Sequence, residues 1–146
     1  MKNISLLFLL ASLIFLGNTC NKEEGECHKS IIFKNNSEKA LYVLKSTEFP
    51  DTLSFGTGPS PELNKSTYKV LSGETSENPL RNRDCWETDF TYVDIIPSDT
   101  LMIYIFDADT IENVDWADVV HYYMVLKRYD LSLDDLKRDD WTISYP

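Results

Sequence analysis

The chain has 146 residues, which suits one domain, because two domains of half that length would each bury too small a core. Hydrophobic residues make up 42% of the sequence and aromatic residues 12%, so the composition is that of a folded protein and excludes a disordered one. The formal net charge of −10 repels phosphate backbones and argues against nucleic acid as a partner.

The first residues have the pattern of an export signal. Lys2 gives a short positive start, and an apolar run of about thirteen residues follows from Ile4 to Leu16. That length fits the core of a secretory signal and is shorter than the ~20 residues that span a bilayer as a helix. Residues 1–19 are therefore predicted to be a signal peptide. An uncleaved anchor and ordinary signal cleavage are the alternatives.

Cys20 comes directly after this segment, and Lys22, Glu23 and Glu24 follow it. The stretch resembles a lipoprotein signal, in which the cysteine is acylated and becomes the new N-terminus. Gly17 and Thr19 depart from the usual residues before the cysteine, in a way familiar from Bacteroides-type lipoproteins. The acidic residues after Cys20 resemble the surface-export signal of the same group.

This resemblance implies a lipid on Cys20, a charged tether over residues 20–29, and a membrane partner reached through the lipid. It also implies an outer-membrane location that faces the cell exterior, with a periplasm-facing location as the alternative. If Cys20 carries lipid, Cys27 and Cys85 remain as a pair that an exported protein could oxidise. Their disulfide would close a loop of roughly sixty residues, worth about 4 kcal/mol in the loop-entropy model.

The remaining chain, residues 30–146, is predicted to be a single β-rich domain. β-Branched and aromatic runs predict six strands, at residues 30–34, 40–45, 68–71, 100–106, 125–131 and 141–145. The first two are expected to form a hairpin with a five-residue loop. The strand at 100–106 is apolar on both faces and should be central and buried. Glycine, proline and polar residues predict loops over 49–64 and 74–84.

Short helices are expected between these strands. Apolar spacing predicts helical turns over 86–93 and 116–123, the second with Asn113 as its N-cap. Ser132 and Asp135 have capping-box spacing and predict a helix through Lys137. The fold class is therefore mainly β. The expected layout is an antiparallel β-sandwich, immunoglobulin-like or transthyretin-like, with two or three short helices; a single sheet with helices on one face is the alternative.

The segments 98–103, 106–110 and 127–132 also resemble small Bacteroides-type lipoproteins, a resemblance that implies no activity. Asp107, Asp109 and Glu112 form a candidate calcium site, because hard oxygen ligands after a strand could converge on one cation. The alternative is a solvated turn in which the aspartates accept backbone hydrogen bonds.

Catalytic motifs are absent from the sequence, and only His28 and His121 could serve as bases at neutral pH. His121 is expected to be a half-buried packing residue. Trp86, Trp116 and Trp141 are expected in the core, with sugar stacking as the alternative role.

The sequence favours a surface-exposed binding or accessory module, with a glycan or protein ligand and without enzymatic activity. Two alternatives remain. One is a structural subunit of an envelope assembly. The other is a carboxylate-dependent hydrolase, which predicts a pocket that contains two acids.

Overall fold

The structure is a computed structural model that describes residues 26–50 and 67–146. The predicted signal peptide, Cys20 and the tether as far as residue 25 lie outside the described residues, as does most of the predicted 49–64 loop. Within the described ranges, no helix has the length and apolar character needed to cross a membrane.

The described part of the chain is mainly β, with seven strands in two sheets and four short α-helices. The strands are β1 (Ile32–Asn35), β2 (Leu41–Ser46), β3 (Lys69–Val70), β4 (Thr75–Ser76), β5 (Leu101–Asp107), β6 (Lys127–Leu131) and β7 (Thr142–Tyr145). The α-helices are α1 (Trp86–Thr91), α2 (Ala108–Asn113), α3 (Trp116–His121) and α4 (Leu133–Arg138), and a 3-10 helix spans Asn78–Leu80.

The sheet topology differs from the prediction at two places. The smaller sheet has the order β4-β1-β7 and the larger has the order β3-β2-β5-β6. The predicted hairpin is wrong, because β1 and β2 belong to different sheets. The all-antiparallel arrangement is also wrong at β7, which pairs in parallel with β1, whereas the other strand pairs are antiparallel.

The connection between β1 and β2 crosses from one sheet to the other around the side chain of Asn35. This side chain is only 1% exposed. Its amide nitrogen donates hydrogen bonds to the carbonyls of Lys39, Val70 and Leu71. Its amide oxygen accepts hydrogen bonds from the backbone nitrogen and hydroxyl of Ser37. Asn35 thus joins the crossing segment to the end of β3.

The two sheets share one hydrophobic core, and helices α2 and α3 cover the other face of the larger sheet. The first core is formed from both sheets and from α1 and α4, and includes Phe33, Val43, Trp86, Ile103, Leu136 and Ile143. The second lies between the larger sheet and helices α2 and α3, and includes Tyr42, Leu44, Tyr104, Phe106, Ile111 and Val119. β5 contributes to both cores, which confirms that this strand is central and buried on both faces.

Two of the four α-helices, α2 and α4, begin at a residue whose side chain caps the helix. The capping box of α4 is confirmed. The Ser132 hydroxyl accepts a hydrogen bond from the Asp135 backbone nitrogen, and the Asp135 carboxylate accepts one from the Ser132 backbone nitrogen. The predicted N-cap Asn113 is wrong, because Asn113 ends α2 and Asp115 precedes α3. α2 itself occupies residues for which the sequence predicted a cation site or, as the alternative, a solvated turn. Its N-cap is Asp107, whose carboxylate accepts from the Asp109 backbone nitrogen at 2.9 Å.

Candidate functional site

The segment before β1 is fastened to α1 through Cys27 and His28, and we call these contacts the junction. A disulfide joins Cys27 to Cys85, the N-cap of α1, with their Cα atoms 5.0 Å apart. The backbone oxygen of His28 accepts from the Trp86 backbone nitrogen at 2.8 Å. The His28 ring pairs with the Glu87 carboxylate and stacks on Trp141, with ring centroids 4.3 Å apart. Residues that enter the domain are therefore fixed to α1 by covalent, polar and aromatic contacts.

Glu87 is ionised at this junction. Burial raises the pKa of its carboxyl, but the hydrogen bonds from the side chain and the backbone of His28 lower it. The net effect holds the pKa of Glu87 below its usual value. The carboxylate accepts from the His28 backbone nitrogen at 2.9 Å as well as from the ring. Because two atoms of His28 are held by one carboxylate, the imidazole is fixed in place against Trp141.

A cavity lies between the end of β2 and α1, and we call it the β2–α1 cavity. Its volume is about 390 Å³, within the range of small-ligand sites. Its walls combine charged, amide, hydroxyl and apolar side chains: Lys45, Ser46, Thr47, Glu48, Asn82, Trp86, Asp89 and Ile95.

Lys45 occupies this cavity because of strand alternation. Leu41 and Val43 face the first core, so Lys45, two residues further along β2, points in the same direction. Its ammonium donates to the carbonyl of Arg81 at 2.7 Å and lies 4.5 Å from the centre of the Trp86 ring. Burial lowers the pKa of Lys45, against an opposing effect of Asp89. Lys45 is thus a cation held on an aromatic wall.

Asp89 and Asn82 complete the polar part of the cavity. Asp89 is only 8% exposed, and its carboxylate accepts from the Asn82 amide at 2.6 Å. Trp86 is 2% exposed, and within the described ranges its indole nitrogen has no hydrogen-bond partner. A buried carboxylate, an amide and a partly buried ammonium therefore line one cavity beside an apolar surface, an arrangement that can orient a polar ligand.

Sequence reasoning assigned no role to Lys45, Asn82 or Asp89, because they come from separate segments of the chain. Two signals could have pointed to them. Lys45 is a charge at an inward position of a predicted strand. Asp89 lies three residues after Trp86 and one before Phe90, on the predicted inward face of α1. A charge in a core-facing position is a common sign of a site.

The candidate calcium ligands lie close together along the chain but have separate partners. Asp107 pairs with the Lys39 ammonium at 2.6 Å, and Glu112 pairs with the Lys69 ammonium at 2.7 Å. The hydrogen bond with Lys39, opposed by burial, holds the pKa of Asp107 below its usual value. Among residues 26–50 and 67–146, no group of three or more metal-ligating side chains is arranged to hold an ion. A calcium site on Asp107, Asp109 and Glu112 stays a prediction.

Glu112 also has a role in the second core. Its carboxylate accepts from the Tyr42 hydroxyl at 3.1 Å. Burial, followed by this hydrogen bond, raises the pKa of Tyr42 to about 12. Tyr42 is therefore neutral over the physiological range and serves as a donor to the carboxylate that also binds Lys69.

The aromatic residues mostly occupy the expected places. Trp86 and Trp141 are buried in the first core, and Trp116 is partly buried against the second, so the core prediction is confirmed. His121 is exposed, so its prediction as a half-buried packing residue is wrong. It ends the short helix α3 and contacts the ring of the exposed Tyr122 edge to face.

Among known proteins, no family model, no curated sequence and no solved structure matches this chain. Its function is therefore inferred from its own residues, and within the described part of the chain the β2–α1 cavity combines buried charge with an aromatic wall.

Proposed function

We propose that this protein is a lipid-anchored binding module on the bacterial cell surface, and that its ligand occupies the β2–α1 cavity. The anchor is supported by the lipoprotein-like signal that ends at Cys20 and by the charged residues after it. The ligand site is supported by one observation: the Lys45 ammonium, which lies over the Trp86 ring, and the hydrogen-bonded pair of Asn82 and Asp89 line the same cavity.

The ligand is a glycan unit or a polar side chain of a protein. A volume of about 390 Å³ accommodates a group of that size. The walls offer donors on Lys45 and Asn82 and acceptors on Asp89 and Glu48, which suits hydroxyl and amide groups. The walls hold one ammonium, on Lys45, and two carboxylates, on Glu48 and Asp89, so a neutral polar ligand is favoured over an anionic one.

We also propose that the two sheets form an immunoglobulin-like or transthyretin-like sandwich. An immunoglobulin-like or transthyretin-like layout agrees with the two sheets that share a core. The parallel pairing of β7 and the helical layer on the larger sheet are additions to either layout.

A second candidate is hydrolysis by paired carboxylates. The observation that favours it is the presence of both Asp89 and Glu48 in the walls of one cavity. An activity of the purified protein on glycosides or esters that is lost in Asp89→Asn would place this candidate first. Binding without turnover would place the binding module first.

Binding should depend on the charged groups of the cavity. We expect Lys45→Met and Asp89→Asn each to weaken the affinity for a ligand about tenfold or more, because each removes a charge-assisted hydrogen bond in a partly buried site. The methionine keeps the length of the side chain over Trp86. The ligand is first identified on a panel of glycans and surface proteins, and affinities are then measured by calorimetry.

Lys34→Met is the matched control, since Lys34 is an exposed lysine on β1 outside the cavity. It should leave affinity unchanged. Equal affinities for all four proteins would contradict the placement of the ligand, and a wild-type protein that binds nothing on the panel would contradict the proposed function.

A further inference from the structure

Three large apolar side chains are exposed within four residues directly after α1. Tyr92 is 57% exposed, Val93 71% and Ile95 41%, and we call them the Tyr92–Ile95 patch. Ile96, the next residue, is fully buried and fixes the segment to the first core. Such clusters on a soluble domain mark interaction surfaces, because their exposure to water is unfavourable.

The patch lies close to the point where the domain is fastened to its tether. The disulfide fixes Cys27 to the N-cap of α1, and α1 is a six-residue helix about 9 Å long. The seven residue steps from Cys20 to Cys27 span at most about 25 Å when fully extended. If lipid is attached to Cys20, as the proposed function requires, Cys27 stays within that distance of the lipid surface, and the N-cap of α1 lies 5.0 Å from Cys27.

The residues around this junction carry both basic and acidic side chains. Lys29, Arg81 and Arg83 are exposed there, as are the acids Glu26, Asp84 and Asp94. The Asn82 backbone nitrogen donates to the Lys29 carbonyl at 2.7 Å, which keeps the two basic segments side by side. These exposed basic side chains next to the tether can contact the phosphates of lipid headgroups.

We propose that the Tyr92–Ile95 patch docks on the lipid surface that holds the anchor. Tyrosine suits the interface between water and acyl chains, and Val93 and Ile95 supply the apolar contact. The lipid and the patch together form a two-point attachment, which gives the domain one orientation on the membrane. Ile95 also lines the β2–α1 cavity, so docking brings the rim of the cavity to the membrane and favours a ligand presented there.

A second exposed apolar group provides the matched control. Tyr122, Tyr123 and Leu126 are 65%, 44% and 44% exposed, similar to the members of the patch. They follow α3, which belongs to the helical layer on the opposite face of the larger sheet. This group should face away from the membrane when the Tyr92–Ile95 patch is docked.

Photocrosslinking of the full lipidated chain tests the docking. One variant carries p-benzoylphenylalanine in place of Val93 and another carries it in place of Tyr122, and both are reconstituted in vesicles of phosphatidylethanolamine and phosphatidylglycerol. We expect lipid adducts at position 93 to exceed those at position 122 by about fivefold or more, because only the first side chain enters the interface. Adducts are counted by mass spectrometry of the peptides.

Mass spectrometry of Cys20 in the same samples separates the two claims. Acylated Cys20 with equal lipid adducts at both positions would overturn the docking and leave the anchor intact. Crosslinked dimers in place of lipid adducts at position 93 would also overturn it, by assigning the patch to a second copy of the chain. Unmodified Cys20 would overturn the proposed anchor, and the docking that rests on it.

Discussion

Asn35→Ala is expected to lower the free energy of unfolding by about 3 kcal/mol, a large effect for one polar residue. The substitution leaves three carbonyls, of Lys39, Val70 and Leu71, without the donor that the Asn35 amide supplies. It also removes the acceptor of two hydrogen bonds from Ser37. Because these groups connect the crossing segment to β3, their loss should loosen the connection between the two sheets.

Urea unfolding followed by tryptophan fluorescence measures this change. Asn36→Ala is the control, since Asn36 is exposed and contributes its backbone nitrogen, which alanine retains, to a bond with the Tyr145 carbonyl. We expect that variant to stay within about 0.5 kcal/mol of the wild type. If Asn35→Ala lowered the free energy of unfolding as little as Asn36→Ala, the buried amide of Asn35 would not be the group that joins the sheets.

Removal of the disulfide by Cys27→Ser together with Cys85→Ser is expected to cost about 4 kcal/mol of stability. The two cysteines are 58 residues apart in sequence, so the bond removes much of the freedom of the unfolded chain. The loss should also release His28 from Glu87 and Trp141, because nothing covalent then fastens the entering segment to α1.

The same unfolding measurement, with and without reductant, gives the result. The free energy of unfolding of the reduced wild type should match that of the double variant, and reductant should not change the value for the double variant. A difference between oxidised and reduced wild type below about 1 kcal/mol would mean that the junction is held by its polar and aromatic contacts alone.

The sequence-based predictions were best for elements whose structure is determined by their own residues. β5 is apolar at every position from Leu101 to Phe106. Both faces of the strand must therefore be buried, which places it between two cores. Ser132 and Asp135 begin α4 because their side chains satisfy each other's backbone nitrogen. Both predictions needed no information from distant parts of the chain.

The pairing of strands could not be predicted in the same way. Alternation in β1 and β2 shows which side chains face inward, but it is equally satisfied by one sheet or by two sheets that share a core. The choice depends on Asn35 and on β7, which returns from the end of the chain to pair with β1. β4 was missed because its two residues, Thr75 and Ser76, are polar and pair only through their backbone.

The candidate site was hidden for a related reason. The sequence neighbours of Lys45, Asn82 and Asp89 are ordinary. These residues line one cavity only because β2 and α1 lie side by side in the fold. The conspicuous acidic residues Asp107 and Glu112 pair with lysines that are distant in sequence. Lys39 precedes β2 and Lys69 lies on β3, and no sequence pattern connects either lysine with its partner.

Protease treatment of intact cells tests the proposed role most directly. The full-length protein and a Cys20→Ser variant are expressed in a Bacteroides-type host, and intact and lysed cells are digested in parallel. We expect the wild-type protein to be removed from intact cells, and the variant to be lost from the cell surface because it lacks its lipid. Wild-type protein that resists digestion on intact cells and is cleaved only after lysis would contradict surface exposure and favour a periplasm-facing role.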